Sequence, residues 1–285
     1  RLSPQGTMTP TPRFARWWWI GFSEGLRALL CARNTAQARH ALRLLLCPID
    51  LWRYYEVAAV LGACESFPAA LDIGSPKIVA HILRAKNHTK VFATDIAWDA
   101  LERPSGGMAP LQCDALQLPF ADCSLPFVYS VSALEHIAEC GDTFAMREIA
   151  RVLVPGGVAV ITVPLVHEYY ERWIETDPYG GQARDAAGRV FFSRYYDWLS
   201  LEKRLLTVPE LRVIELYAWQ EELGGWYDRY CNATARPLSA RSVVTKIFDP
   251  VWSARRIVFL KDGPKRLARH GIAAIVLRKQ GGAGA

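Results

Sequence analysis

At 285 residues, half of them hydrophobic and 22% charged, the chain is long enough for one large domain with additions or for two small ones, and too apolar for a disordered segment. No stretch of about 18 residues stays apolar without charge, which argues against a membrane-crossing helix; the nearest candidate, RWWWIGFSEGLRALL, is broken by Glu24 and Arg27. The net charge of +6 is uneven, with seven arginines against Glu24 and Asp50 in residues 1–50, ten Lys or Arg against five acids in residues 221–270, and a net acidic stretch between; basic ends around an acidic centre are either solvated helix faces or a surface for an anionic partner.

Residues 1–68 read as helical, above all NTAQARHALRLLL and IDLWRYYEVAAVLGA, and are taken as an N-terminal extension or lid. From residue 69 onward strand and helix alternate. AALDI is a short apolar strand, PKIVAHILRAKN a helix with Ile78 and Ile82 one turn apart, and KVFATDI a second strand. RPSGGMAP is a loop, LQCDA a short third strand and FVYSV a fourth. DTFAMREIARVL is an amphipathic helix with Asp142 placed to cap it, broken by PGG before the fifth strand, VAVITVPL. Strands so arranged form a parallel sheet covered on both faces. Residues 166–210 are rich in Tyr, Trp and Phe with a helix near DWLSLEKRLL; LRVIELYAW and IAAIVLRK are two late strands, and residues 221–270 form a basic, partly helical insertion before the last of them.

Seven cysteines at 31, 47, 64, 113, 123, 140 and 231 include no C-x-x-C pair. An odd, scattered set fits neither a disulfide framework nor a zinc site, and no secretory signal is evident. The expected compartment is the cytoplasm, with no metal.

Open parallel sheets bind ligands beyond the carboxyl ends of their strands. Those ends carry Asp72 and Gly74, Asp95, Asp114, and Ser130 to Ser132. The stretch LDIGSPKIVA has Gly74 where a nucleotide loop turns, but Pro76 and Ile78 where G-x-G-x-G would place its other glycines. Asp95 follows Gly74 at the distance where an acid can accept from both ribose hydroxyls of a nucleoside.

CDALQLPFADCSLPFVYSVSALEHI followed by REIARVLVPGGVAVITVP closely resembles the class I S-adenosylmethionine-dependent methyltransferases, most of all the small-molecule branch that includes the ubiquinone and menaquinone biosynthesis enzymes. The resemblance covers residues 69–165; Leu125-Pro126 stands where that branch has Phe-Asp. It implies a Rossmann-like α/β fold of seven strands, mostly parallel with an antiparallel last strand, as one domain over residues 69–285. It also implies S-adenosylmethionine as cofactor and S-adenosylhomocysteine as product. By the same resemblance, Asp72, Gly74 and Ser75 meet the methionine end and Asp95 the ribose. Ile96 packs on the adenine, Asp114 and the Ala115 backbone meet its edge, and Ser130 and Val131 floor the sulfonium. Ser75 then sits where a helix N-cap belongs and Pro76 at the first helical position, with Lys77 near the cofactor's carboxylate.

Methyl transfer needs alignment first and a base only where the acceptor's proton is held firmly. His136 is the candidate base, against the plain reading of a loop histidine bonded to backbone, with Glu135 a weaker one. His167, Tyr170, Trp173 and Tyr195 are candidate acceptor-pocket residues, against the plain reading of packed aromatics, and would suit a small molecule with a ring or apolar portion in specialised or quinone-like metabolism. Nucleic acid is not expected as a substrate, because N-P-P-Y, D-P-P-Y and the P-C nucleophile are missing. Trp17-Trp18-Trp19 beside Arg13, Arg16 and Arg27 is read as a pocket cover or a homodimer contact in preference to a membrane-surface segment. A non-catalytic member of the fold, serving as a binding or scaffold surface, is the alternative reading.

Overall fold

The computed structural model describes residues 12–46, 48–64, 67–87, 89–96, 108–177, 183–222, 254–260 and 267–281, together with 244, 248, 263 and 265. Most of the 221–270 insertion and much of the loop before the third strand therefore lie outside the described residues.

Three helices come first, α1 (Phe14–Leu30), α2 (Thr35–Leu46) and α3 (Arg53–Ala63). There follow β1 (Ala69–Ile73), α4 (Ile78–Asn87), β2 (Lys90–Asp95), β3 (Met108–Gln112) and β4 (Leu125–Val131). Then come a 3-10 turn (Leu134–His136), α5 (Gly141–Val152), β5 (Leu153–Leu165), β6 (Tyr170–Ile174), β7 (Val190–Tyr195) and α6 (Trp198–Leu205). The chain closes with β8 (Leu211–Glu221), β9 (Ile257–Phe259) and β10 (Gly271–Lys279).

The main sheet runs β3-β2-β1-β4-β5-β10-β8-β9. Strands β1 to β5 pair in parallel, and β10 lies antiparallel between β5 and β8. That is the expected seven-stranded, mostly parallel sheet with its antiparallel last strand, plus β9, three residues added to the edge of β8. Side-chain alternation splits the core into two layers. Phe127, Tyr129, Val131, Val158 and Val160 face one way and pack under α3 and α4. Val128, Ala159, Ile161 and Val163 face the other way and meet Ala145, Met146 and Ile149 of α5 and Leu201 and Leu205 of α6.

α3 is buried from Tyr54 to Leu61 with no polar face, so it is a core element of the sheet domain. That explains its place under β5 and β10 although it precedes β1 by sequence. Position 78, where a glycine would allow close helix approach, holds an isoleucine that packs on α1 at Gly21, whose missing side chain leaves the room.

Several expected boundaries move. β3 begins at Met108, inside the stretch read as a loop, because its Pro110 lies on a strand with a free edge, where a missing N–H costs nothing. Pro155-Gly156-Gly157 does not end α5 as a loop; β5 runs through it as a bulge, with Gly156 at φ +79° and the ladder to β4 shifted between Leu125 and Phe127. The aromatic stretch 166–210 contains, besides the expected helix, the β6–β7 hairpin, which composition did not reveal.

Asp142 also differs from expectation. α5 starts one residue earlier, at Gly141, and its cap position, Cys140, makes no side-chain cap bond. The fully buried Asp142 instead accepts from Tyr196 Oη (2.8 Å), Arg204 Nε (2.7 Å) and Arg204 Nη2 (2.8 Å), and pairs with the buried Arg194 at 3.0 Å. This cluster pins the hairpin and α6 to α5. Removing one member of a buried ion pair leaves the other uncompensated, at a cost of about 3–5 kcal/mol. Asp142→Ala is therefore expected to lower unfolding free energy by roughly that amount, read from urea melts of variant and parent.

Candidate active site

The carboxyl ends of β1 and β2 are cross-braced. Asp72 is fully buried, its Oδ1 accepting from the Ser75 backbone N–H at 3.1 Å and its Oδ2 from Lys77 Nζ at 3.4 Å. Burial pushes the Asp72 carboxyl above its ordinary value, against the pull of Lys77 and Ser75. Lys77 Nζ also donates to Ser75 O and Thr94 O, both at 3.0 Å, and lies 3.7 Å from Asp95 Oδ2. Thr94 Oγ1 donates back to Asp72 O at 2.7 Å, and Gly74 N donates to Thr94 O at 3.0 Å. Between these braces Gly74 turns at φ +63°; a Cβ there would sit 2.9 Å from that of Ala133.

This differs from the expected helix start. α4 begins at Ile78, with Val79 N bonded to Pro76 O, and the Ser75 hydroxyl does not cap it. Ser75 Oγ accepts from Val131 N at 2.9 Å and so ties the loop to β4. Lys77 points inward rather than toward a ligand carboxylate, because two acids and two carbonyls converge there.

Asp95 stays one-third exposed at its strand end, and Ile96 beside it is 58% exposed. Asp114 is exposed in the turn after β3; its Oδ1 accepts from Leu116 N at 2.9 Å, so one oxygen holds the turn, while Ala115 packs partly into the core. Ser130 is fully buried and donates to Ile73 O at 3.0 Å, and Val131 is equally buried. The Ser130 hydroxyl and the Val131 N–H join β4 to the end of β1 and its loop under the site. Gly74, Asp95 and Ile96 thus gather along one edge, with Asp114 past the neighbouring strand, while Asp72, Ser75, Ser130 and Val131 hold that edge in place.

A second cluster lies at the ends of β4 and β5. Ser132, just past β4, is held in the left-handed region at φ +46°, a strain that its bonds must offset. Its N–H donates to Thr162 O at 3.0 Å, and its hydroxyl donates to Glu56 Oε1, which also receives Thr162 Oγ1 at 2.9 Å. Arg53 Nη1 donates to Glu56 Oε2 at 2.7 Å. Glu56 is thus a fully buried carboxylate brought in by α3, outside the stretch that carried the sequence resemblance. Sequence reading missed it, although a lone acid inside the otherwise apolar YYEVAAVL was the available signal.

Glu135 and His136 follow in the 3-10 turn. Glu135 is 3% exposed, and its Oε2 has no hydrogen-bond partner among the described residues. Burial pushes its carboxyl up to about 8, with Glu56 adding to the rise and Arg53 and Arg194 opposing it. His136 Nδ1 lies 2.6 Å from Phe192 O; a carbonyl only accepts, so Nδ1 carries the hydrogen and Nε2 is left as the acceptor nitrogen, 4.0 Å from Glu135 Oε1. Burial lowers the His136 pKa despite that bond, which keeps the ring neutral at pH 7.

Of the expected pocket aromatics, Tyr170 stacks on Tyr195 at 4.5 Å and Trp173 meets Phe191 edge-on at 5.4 Å, all on the β6–β7 hairpin. Tyr195 continues to His270 at 5.6 Å, and His270 to Trp52 at 6.4 Å, so the hairpin, the start of β10 and α3 share one aromatic seam. His167 lies in an exposed loop before the hairpin, with no contact to this seam among the described interactions. Among the described residues no group of His, Cys, Asp or Glu is arranged to hold a metal.

Residues 71–161, spanning this edge from β1 to β5, match the family model described as a methyltransferase domain. A protein of Encephalitozoon cuniculi that carries a provisional methyltransferase name is 40% identical over 62 residues, 21% of this chain, and the chain spans only 30% of that relative. Among solved structures, the MccD protein superposes with a TM-score of 0.52 at 12% identity, over 81% of this chain and 99% of its own. Haemonchus contortus phosphoethanolamine N-methyltransferase 2, solved with phosphomonomethylethanolamine and S-adenosylhomocysteine, gives 0.50 at 15% identity over 89% of this chain and 59% of its own. At such identities the likeness is one of fold, and it agrees with the strand order. With the family match, it places a methyltransferase domain at residues 71–161 within this fold.

Proposed function

We propose that the chain transfers the methyl group of S-adenosylmethionine to a small-molecule acceptor with a ring or apolar portion. The observation that carries this is the open edge at β1 and β2. There Gly74 makes a turn that no side chain could enter, and Asp95 and Ile96 remain exposed beside it. The fit to the cofactor is chemical. The Asp95 carboxylate suits ribose hydroxyls, Ile96 a flat adenine face, Asp114 the adenine amino group, and the Gly74 turn close approach of the methionine portion. The cofactor brings a methyl group already on a good leaving group, so the protein's task is to hold an acceptor atom in line with it at about 3–3.5 Å.

The acceptor side is the cluster beyond β4 and β5. Neutral His136, fixed by Phe192, is a base whose acceptor nitrogen needs no prior deprotonation. Glu135 next to it is mostly protonated at pH 7 and serves as a hydrogen-bonding partner rather than a base. The hairpin aromatics Tyr170, Trp173 and Tyr195 supply an apolar wall. A non-catalytic role has no observation of its own in its favour, since the edge residues are not filled in.

Calorimetric titration with S-adenosylhomocysteine is expected to show saturable binding; no binding at millimolar concentration would contradict the proposal. Gly74→Val must place a branched side chain at positive φ against Ala133, and is expected to weaken that binding at least about tenfold. Glu135 gives a pH test. A carboxyl raised on folding from 4.5 to about 8 favours the folded state fully below about pH 4.5, and that contribution is lost as pH rises to about 8. Glu135→Gln cannot ionise and keeps it. Its Tm relative to the parent is therefore expected to rise steadily across that window; a difference independent of pH would refute the assignment.

A further inference from the structure

We propose that Lys77 is a positioning residue for the ribose-reading acid, replacing with one side chain the bracing that a glycine-rich loop supplies through its backbone. The inference rests on the methyltransferase reading of the edge and adds to it what sets recognition of the ribose.

Pro76 and Ile78 occupy positions where glycines would let the loop backbone curl on itself, and proline has no N–H to donate. The loop therefore leaves Ser75 O turned inward and the Asp72 carboxylate buried, both needing donors. An ammonium has three N–H bonds and no acceptor. Lys77, 8% exposed, directs them at Asp72 Oδ2, Ser75 O and Thr94 O. Its hydrogen bonds are thereby committed to the loop. Toward Asp95 Oδ2, at 3.7 Å, it acts as a fixed charge.

That arrangement has a directional consequence. Thr94 O belongs to the residue immediately before Asp95, so Lys77 holds both the backbone that carries the acid and the carboxylate itself. Without this cation Asp95 loses both its pull toward the loop and the donor that fixes the carbonyl just before it. Asp95 would then turn toward solvent and away from the place where two hydroxyls can reach it. A lysine that only stabilised the loop would affect every cofactor analogue alike. One that orients Asp95 selects for the ligand's hydroxyls.

The test measures, by calorimetry, binding of S-adenosylhomocysteine and of its 2′-deoxy analogue to the full chain, with thermal unfolding followed in parallel. The parent is expected to prefer the hydroxylated ligand by about tenfold or more, as a site built around a charged hydrogen bond does. In Lys77→Met that preference should fall below about threefold, with Lys77→Arg, which keeps the charge, restoring at least half of it on a logarithmic scale. The double variant Asp72→Asn/Lys77→Met removes both buried charges together, so that it folds without an uncompensated acid, and should show the same lost preference. An unchanged preference in either methionine variant would overturn the proposal, as would a parent that binds both ligands equally. Loss of a cooperative unfolding transition in both methionine variants would overturn it too, making Lys77 a determinant of the fold. A parent that binds neither ligand would instead overturn the methyltransferase reading beneath it.

Discussion

In a parallel sheet every crossover leaves a strand end whose last amides and carbonyls have left the ladder, and β1, β2, β4 and β5 all present such ends along one edge. Those groups must find partners without filling the edge. The chain's chemistry depends on how this is done. At β1 and β2 the partners are Lys77, Ser75 and Thr94; at β4 and β5 they are Ser130, Thr162 and, from another part of the chain, Glu56. Each brace removes a polar group from competition and leaves Gly74, Asp95 and Ile96 facing outward.

The two halves of the edge are braced in different ways, and the difference bears on function. The half proposed to hold the cofactor is braced chiefly within residues 72–95, by contacts of a single β-α-β unit, and is tied to β4 by Val131 N on Ser75 Oγ and Ser130 Oγ on Ile73 O. The other half is closed by α3, which brings Glu56 onto Ser132 and Thr162 and, with Arg53 on Glu56, into the electrostatic field of Glu135. The proposed cofactor site is thus built mainly from one unit, and the proposed acceptor site from α3, the 3-10 turn and the β6–β7 hairpin. The Asp142–Arg194–Arg204 cluster holds the last of these against α5 and carries Phe192, and with it His136, into place.

Much of this was legible in the sequence where the signal was local. The alternation from Ala69 to Leu165 foretold a parallel sheet covered on both faces, and the acid at the end of β2 stood out by its distance from Gly74. Long-range partners were not legible. Nothing in PKIVAHIL says that Lys77 turns inward, because that follows from the convergence of Asp72 and Thr94 O, set by pairing of β1 with β2. Glu56 reads as one acid in an apolar helix until α3 is laid on the sheet. Asp142 carried the residue type of a helix cap, and lost that role to two arginines more than fifty positions away. The β6–β7 hairpin was hidden because its aromatics suit a packed helix as well as a strand, and a bulge between Arg172 and Trp173 breaks its alternation.

We propose the edge formed by β1, β2 and β3 as a nucleoside site read by Asp95. A crystal structure of the full chain with S-adenosylhomocysteine tests it most directly. Density is expected over Gly74, with both ribose hydroxyls on the Asp95 carboxylate, the adenine against Ile96 and the Lys77 contacts unchanged. A ligand bound elsewhere, or a ribose held by groups other than Asp95, would contradict it.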